Sequence, residues 1–286
     1  MLRKLWRRRQ PKPNLRWELE QTILSLTPHD HWTIADACMG CQVWGSTGSG
    51  KTTGILANKI LAFLAADFGG IFFTNKPTDA QMYFQLCKKM RREGDVIMFG
   101  PSHPHRFNAL GAELRRDDAG AGQTQSVVTL LTTLLEVSER SSRRGGGDDS
   151  SYWQRANIQL TRNLVDLLVM AKNRLSIPEL YKVLISAPTS YEQLASADWR
   201  KSSLCCQCLD EADKRTVDPI KRRDLDLVAD YLCVEWPGLS DRTRSVVMST
   251  FTSMVDVLNR GIVRELISTT TDVRPEMIQD GKIFII

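Results

Sequence analysis

Eight consecutive residues, Gly45-Ser46-Thr47-Gly48-Ser49-Gly50-Lys51-Thr52, follow the pattern G-x-x-x-x-G-K-[ST], which is suited to holding a polyphosphate. Glycines allow backbone conformations closed to other residues, so successive N–H groups can turn inward around a phosphate. In such a loop Lys51 reaches the β- and γ-phosphates and is the candidate catalytic cation, while the Thr52 hydroxyl holds Mg²⁺. Gly45 through Thr52, together with Thr53, form the expected nucleotide-binding set, with ATP and Mg²⁺ as the expected ligands.

A phosphate loop of this kind needs a strand before it and a helix after it. Cys38 to Trp44 is a short, mostly apolar run that suits the strand, and Thr52 to Ala66 carries apolar residues at helical spacing. The N-terminus of that helix adds its partial positive charge to the site. Gly70 to Thr74 (GIFFT) reads as a second strand and Val96 to Phe99 (VIMF) as a third, with a helix over Ala80 to Arg92 between them. Strands alternating with helices indicate a parallel sheet with right-handed crossovers. After Pro101 the pattern turns helical: Gln125–Val137, Trp153–Arg174 and Asp241–Arg260 are all apolar at helical spacing. In the last of these Val247, Phe251, Met254, Val255 and Leu258 make one face, Ser240 is a plausible N-cap, and Gly261 follows the end. Ser138 to Ser151 lacks any apolar residue apart from its glycines and reads as a mobile loop. The closing Lys282 to Ile286 (KIFII) returns to strand character.

The chain has 286 residues, 42% of them hydrophobic, enough to bury a substantial core. No apolar run approaches the roughly 20 residues that a spanning helix needs, so any membrane contact is expected to be peripheral and the protein cytoplasmic. Seven cysteines without framework spacing point to reduced thiols. Cys38 and Cys41 form a C-x-x-C pair, and Cys205, Cys206 and Cys208 a cluster; with no matching pair elsewhere they read as buried small side chains rather than a zinc site.

Charge is uneven along the chain. Arg3, Lys4, Arg7, Arg8, Arg9, Lys12 and Arg16 precede the first acid, Glu18, and the formal +5 resides wholly in that arm. With Trp6 and Trp17 among the cations, the arm suits nucleic-acid phosphates or an anionic membrane surface, or serves as a solubilising tail. Weaker candidates follow the strands. Lys76 and Asp79 fall at the C-terminal edge of the expected sheet, where ligands bind in open α/β folds. Arg106 and Asn108 could contact phosphate, although fixing a loop suits them better, and His29, His31, His103 and His105 form two H-x-H pairs without an evident third ligand. Hydrolysis by this loop class needs an apolar strand ending in a carboxylate that holds Mg²⁺. No expected strand ends that way, and Asp166 and Asp230 lie in helical patterns, so the acidic strand is expected beyond Ile286.

The segments GSTGSGKTTG, TNKPTDA, DVIMFGP with HRFNALGAEL, GAGQTQSVVTLLTTLLEV, YWQRANIQLTRNLVDLL and MIQDGKIFII resemble, in order, the N-terminal half of the TraG-like conjugative DNA transfer ATPases. These belong to the type IV secretion coupling group and are relatives of FtsK and HerA. The resemblance runs from about residue 32 to the C-terminus. It implies an α/β fold: a RecA-like P-loop NTPase with a parallel sheet and an inserted all-α domain, incomplete at the C-terminus. The expected division is a basic arm over 1–20, the first part of the nucleotide-binding core over 21–115, a helical insertion over 116–270 and a return strand over 271–286. The resemblance also implies a hexameric ATP-driven ring that engages DNA and hands it to a secretion channel or membrane-protein partner. The other reading of the same loop is a non-catalytic nucleotide-binding switch or adaptor.

Overall fold

The computed structural model describes residues 17–46, 48–116, 123–141 and 149–286. The cationic residues of the arm, Thr47, and the stretch 142–148 of the Ser138–Ser151 loop lie outside the described residues. The chain divides into two compact units, one running up to His103 and resuming at Pro275–Ile286, the other spanning Pro104–Arg274. The helical unit therefore begins earlier than residue 116 and ends four residues later than 270.

In the first unit a hairpin of β1 (Thr22–Ser25) and β2 (His31–Thr33) pairs antiparallel. Thr33 then caps α1 (Ile34–Cys38): its hydroxyl accepts from the Asp36 N–H, and the Asp36 carboxylate accepts from the Thr33 N–H at 2.8 Å. This reciprocal cap starts a helix ahead of the expected strand, and the helix takes in that strand's first residue, Cys38. The strand over Cys38–Trp44 is accordingly not formed. Cys38 ends α1, Gly40 turns at φ 83°, and Trp44 is 81% exposed. The left-handed φ of Gly40 breaks the extended course that a strand needs, and residues 41–44 follow without forming one.

The helix after the loop starts as a π-helical turn over Thr52–Leu56 and continues as α2 (Ala57–Ala65). Then come β3 (Gly70–Phe72), α3 (Pro77–Lys89) and β4 (Val96–Met98). The last strand, β5 (Ile283–Ile285), inserts between β3 and β4 and pairs parallel with both. All three of its residues are buried, as a continuous apolar run in a central parallel strand requires. Arg92, 7% exposed, braces this sheet: its guanidinium donates to the carbonyls of Phe68 at 2.7 Å, Leu64 at 3.3 Å and Gly281 at 2.5 Å, and pairs with Asp95 at 3.1 Å. Trp17, expected in the free arm, stacks on Phe68 at 4.1 Å and donates from Nε1 to the Ala66 carbonyl, while Trp32 meets Phe63 edge-on. Aromatic contacts thus fasten the hairpin side of the unit to α2.

The second unit is helical: α4 (Ala109–Leu114), α5 (Thr124–Ser141), α6 (Asp149–Lys172), α7 (Ile177–Ile185), α8 (Tyr191–Ala195), α9 (Ala197–Ser202) and α10 (Leu204–Arg215). It continues with α11 (Pro219–Asp230), α12 (Trp236–Gly238), α13 (Asp241–Asp256) and α14 (Gly261–Ile267). Helix α6 is central, with Leu160, Leu164, Leu167 and Leu168 fully buried at helical spacing and α5, α7, α10, α11 and α13 packed around it. On α13, Val247, Phe251 and Val255 are buried, Met254 and Leu258 pack against them, and Ser240 caps the helix by accepting from the Thr243 N–H. Five other helices of this unit start the same way, at Asn108, Ser176, Ser190, Ser203 and Asp218. Helices α5 and α6 extend into both ends of the expected 138–151 loop.

Candidate functional site

Within the phosphate-binding pattern, Gly48 and Gly50 sit at φ 80° and 79°, the left-handed region that other residues enter only with strain. These two turns let the backbone curl ahead of Lys51, and the N–H groups of Gly48, Gly50 and Lys51 make no hydrogen bond within the described residues. Lys51 Nζ donates to the carbonyls of Gly45 at 2.5 Å and Ser46 at 2.6 Å, holding the ammonium across the loop. Gly45 is tight: a Cβ there would stand 2.6 Å from Ser49 Oγ and 3.1 Å from the Lys51 side chain. Thr52 and Thr53 open the helix on an exposed turn, with the Gly54 N–H bonded to the Gly50 carbonyl at 2.8 Å. Free N–H donors, a held cation and a helix start are the donor set that a polyphosphate takes, and an exposed threonine hydroxyl is a hard oxygen suited to Mg²⁺. A bound Mg²⁺–ATP would supply the phosphoryl group and its charge neutralisation; this chain would supply the cradle and the ammonium.

At the C-terminal ends of β3, β4 and β5 lies a cavity of about 660 Å³. Its floor is apolar, from Phe84, Phe99 and Ile285, and its rim carries Asn75, Lys76 and Gln81. None of the described residues of Gly45–Thr53 lines it. Lys76 stands at the N-cap of α3, and Asp79 lies in its first turn, with its backbone N–H bonded to the Lys76 carbonyl. Gln81 and Phe84 escaped sequence reasoning because a polar and an aromatic residue three apart on a helix look the same whether they line a cavity or a core.

Arg106 and Asn108 fix structure. Asn108 accepts from the Gly111 N–H as a helix cap and donates from Nδ2 to Leu175 O at 2.7 Å and Thr269 O at 3.3 Å; Arg106 N–H reaches Asp272 at 2.7 Å. Asp166 lies within α6, where the Thr124 hydroxyl donates to it at 2.5 Å, and Asp230 ends α11. Among the described residues no group of three or more His, Cys, Asp or Glu side chains could hold a metal ion. Cys205 and Cys208 of the helical unit and Cys87 of the α/β unit are buried, whereas Cys38 and Cys41 are exposed because the strand meant to bury them is not formed. Burial pushes the Cys208 thiol up to about 11 and Cys205 higher still, so both pack as small side chains and not as nucleophiles. Among the described residues no helix is long and apolar enough to cross a membrane. No protein-family model matches the chain, and no curated protein matches it either.

Proposed function

We propose that the chain is the ATP-binding portion of a DNA-translocating or conjugative DNA-transfer motor of the type IV secretion coupling kind, with a RecA-like P-loop fold and an inserted all-α domain. The observation that carries the reading is the Gly45–Thr52 loop. Its two left-handed glycines, its lysine held against the loop carbonyls and its opening into a helix are what phosphate binding asks of a backbone. The parallel sheet and the separate helical unit are compatible with that architecture.

In this reading Lys51 leaves the Gly45 and Ser46 carbonyls for the β- and γ-phosphates, Thr52 holds Mg²⁺, and Gly45–Thr53 surround the nucleotide in a hexameric, cytoplasmic ring that tracks DNA through its backbone charge and passes it to a secretion-channel or membrane-protein partner. Titration with a fluorescent ATP analogue and Mg²⁺ tests the site, and Lys51→Ala is expected to remove binding. Phosphate release by the native protein is expected to rise on adding DNA and to vanish in the same variant.

A second reading, a nucleotide-binding switch or adaptor, is favoured by one observation: β3 and β4 run out into Thr74-Asn75 and Phe99-Gly100, so neither delivers a carboxylate to Mg²⁺. Tight Mg²⁺–ATP binding without DNA-stimulated turnover selects the adaptor over the motor.

A further inference from the structure

The junction of α10 and α11 is built unlike the rest of the helical unit. Over the ten residues from Lys214 to Arg223 it carries five cations and one carboxylate, Asp218. That carboxylate is committed to capping α11, accepting from the N–H groups of Ile220 at 2.8 Å and Lys221 at 3.1 Å. Arg222 is committed to Asp213 at 2.5 Å and lies 3.7 Å from Asp226. The other four cations, Lys214, Arg215, Lys221 and Arg223, are exposed and make no ion pair among the described residues.

Two aliphatic side chains stand among them: Val217 is 87% exposed and Ile220 71%. The inward side of the same hairpin is already filled by Ala212, Leu225 and Val228, so the core has no use for them. Behind the tip the surface changes sign, with Asp210, Glu211, Asp224 and Asp226 exposed along the two helices. Unpaired positive charge and the two most exposed aliphatic side chains of the hairpin therefore meet at one turn.

We propose that the α10–α11 tip docks on an anionic phospholipid surface, Val217 and Ile220 entering the interface while Lys214, Arg215, Lys221 and Arg223 meet the headgroup phosphates. Aliphatic side chains ringed by cations match a surface that is apolar just below a layer of negative charge. A nucleic acid matches less well: the tip offers no aromatic ring on which a base could stack, and the acidic band behind it would repel a long phosphate backbone. The proposal does not depend on the nucleotide reading, so loss of nucleotide binding in Lys51→Ala is expected to leave vesicle partitioning of that variant unaltered.

Hydrogen exchange of the full chain tests it, because exchange locates the contact separately from the basic arm. With vesicles of phosphatidylcholine containing about one third phosphatidylglycerol, peptides covering Lys214–Arg223 are expected to gain protection, and with phosphatidylcholine alone they are not. Vesicle partitioning of the paired change Val217→Ser, Ile220→Ser is expected to fall at least roughly tenfold. That of Lys221→Gln with Arg223→Gln is expected to fall roughly 25-fold at low salt and by less at high salt. Unchanged exchange on anionic vesicles, or unchanged partitioning of the serine pair, overturns the proposal. So does protection by duplex DNA in place of vesicles, which would make the tip a nucleic-acid contact.

Discussion

Helix α6 and strand β5 are each the centre of their unit, and they are held in different ways. Around α6, apolar side chains from five other helices close over Leu160, Leu164, Leu167 and Leu168, and the largest fully buried side chains of the unit, Trp236 and Phe251, join the same core. Around β5 the buried cluster among the described residues is Ile60, Leu64, Cys87 and Ile283, and polar braces carry much of the organisation. Arg92 ties α2, the turn before β3 and the approach to β5 through carbonyl oxygens, while Lys282 Nζ donates to Asp95 and the Gly94 carbonyl, each at 3.1 Å. The contrast separates a unit whose stability follows apolar area from one whose geometry depends on a few hydrogen bonds. Such a sheet leaves side chains such as Phe73 76% exposed beside its outer edge, and it is this unit that carries the Gly45–Thr52 pattern.

The largest effect expected from that contrast comes from emptying the helical core. Phe251→Ala should cost about 3–5 kcal/mol in denaturant unfolding, with hydrogen exchange accelerating in α6 and α13. Slow exchange surviving in β5 would keep the two cores distinct; equal loss in both would merge them. Next in size is Arg92→Ala, which strands buried carbonyls and should cost roughly 2–3 kcal/mol, read as faster exchange in β3, β4 and β5 with α6 unaffected. Arg92→Lys is expected to recover only part, since one ammonium cannot reach carbonyls on three segments.

The smallest effect is on pH dependence. Burial pushes Asp95 up, but the hydrogen bonds and charges of Lys282 and Arg92 outweigh it and hold the carboxyl below its ordinary value. A depressed folded-state pKa means stability that is present above the unfolded-state value, about 3.9, and lost as pH falls through the folded one. Thermal unfolding of the α/β unit should therefore weaken below about pH 4, and Asp95→Asn should flatten that part of the profile. An unchanged profile would leave the sheet braced by Arg92 alone.

Much of this arrangement was legible before any coordinates. The long helices could be read from their spacing because a helix that must bury one face repeats its apolar residues whatever its neighbours are. Strand character at Gly70–Thr74, Val96–Phe99 and Lys282–Ile286 was visible as continuous apolar runs, and the loop was visible because its glycines and lysine are local requirements. The segment before the loop was misread because Thr33 and Asp36, three residues apart, form a cap that starts α1 at Ile34, and the helix runs on into Cys38, the first residue of the expected strand. Trp17 was misread for another reason: its stacking partner Phe68 is 51 positions away, and spacing carries no information about such a contact.

The sequence by itself determined the longest helices, the three strands of the parallel sheet and where the phosphate-binding pattern lies, because each depends on residues within a few positions of one another. Tertiary structure alone decided that the final strand occupies the middle of the sheet, that Arg92 is its brace, and that Val217 and Ile220 face outward beside unpaired cations. Those outcomes depend on which distant segments compete for the same buried space, and local pattern cannot rank that competition.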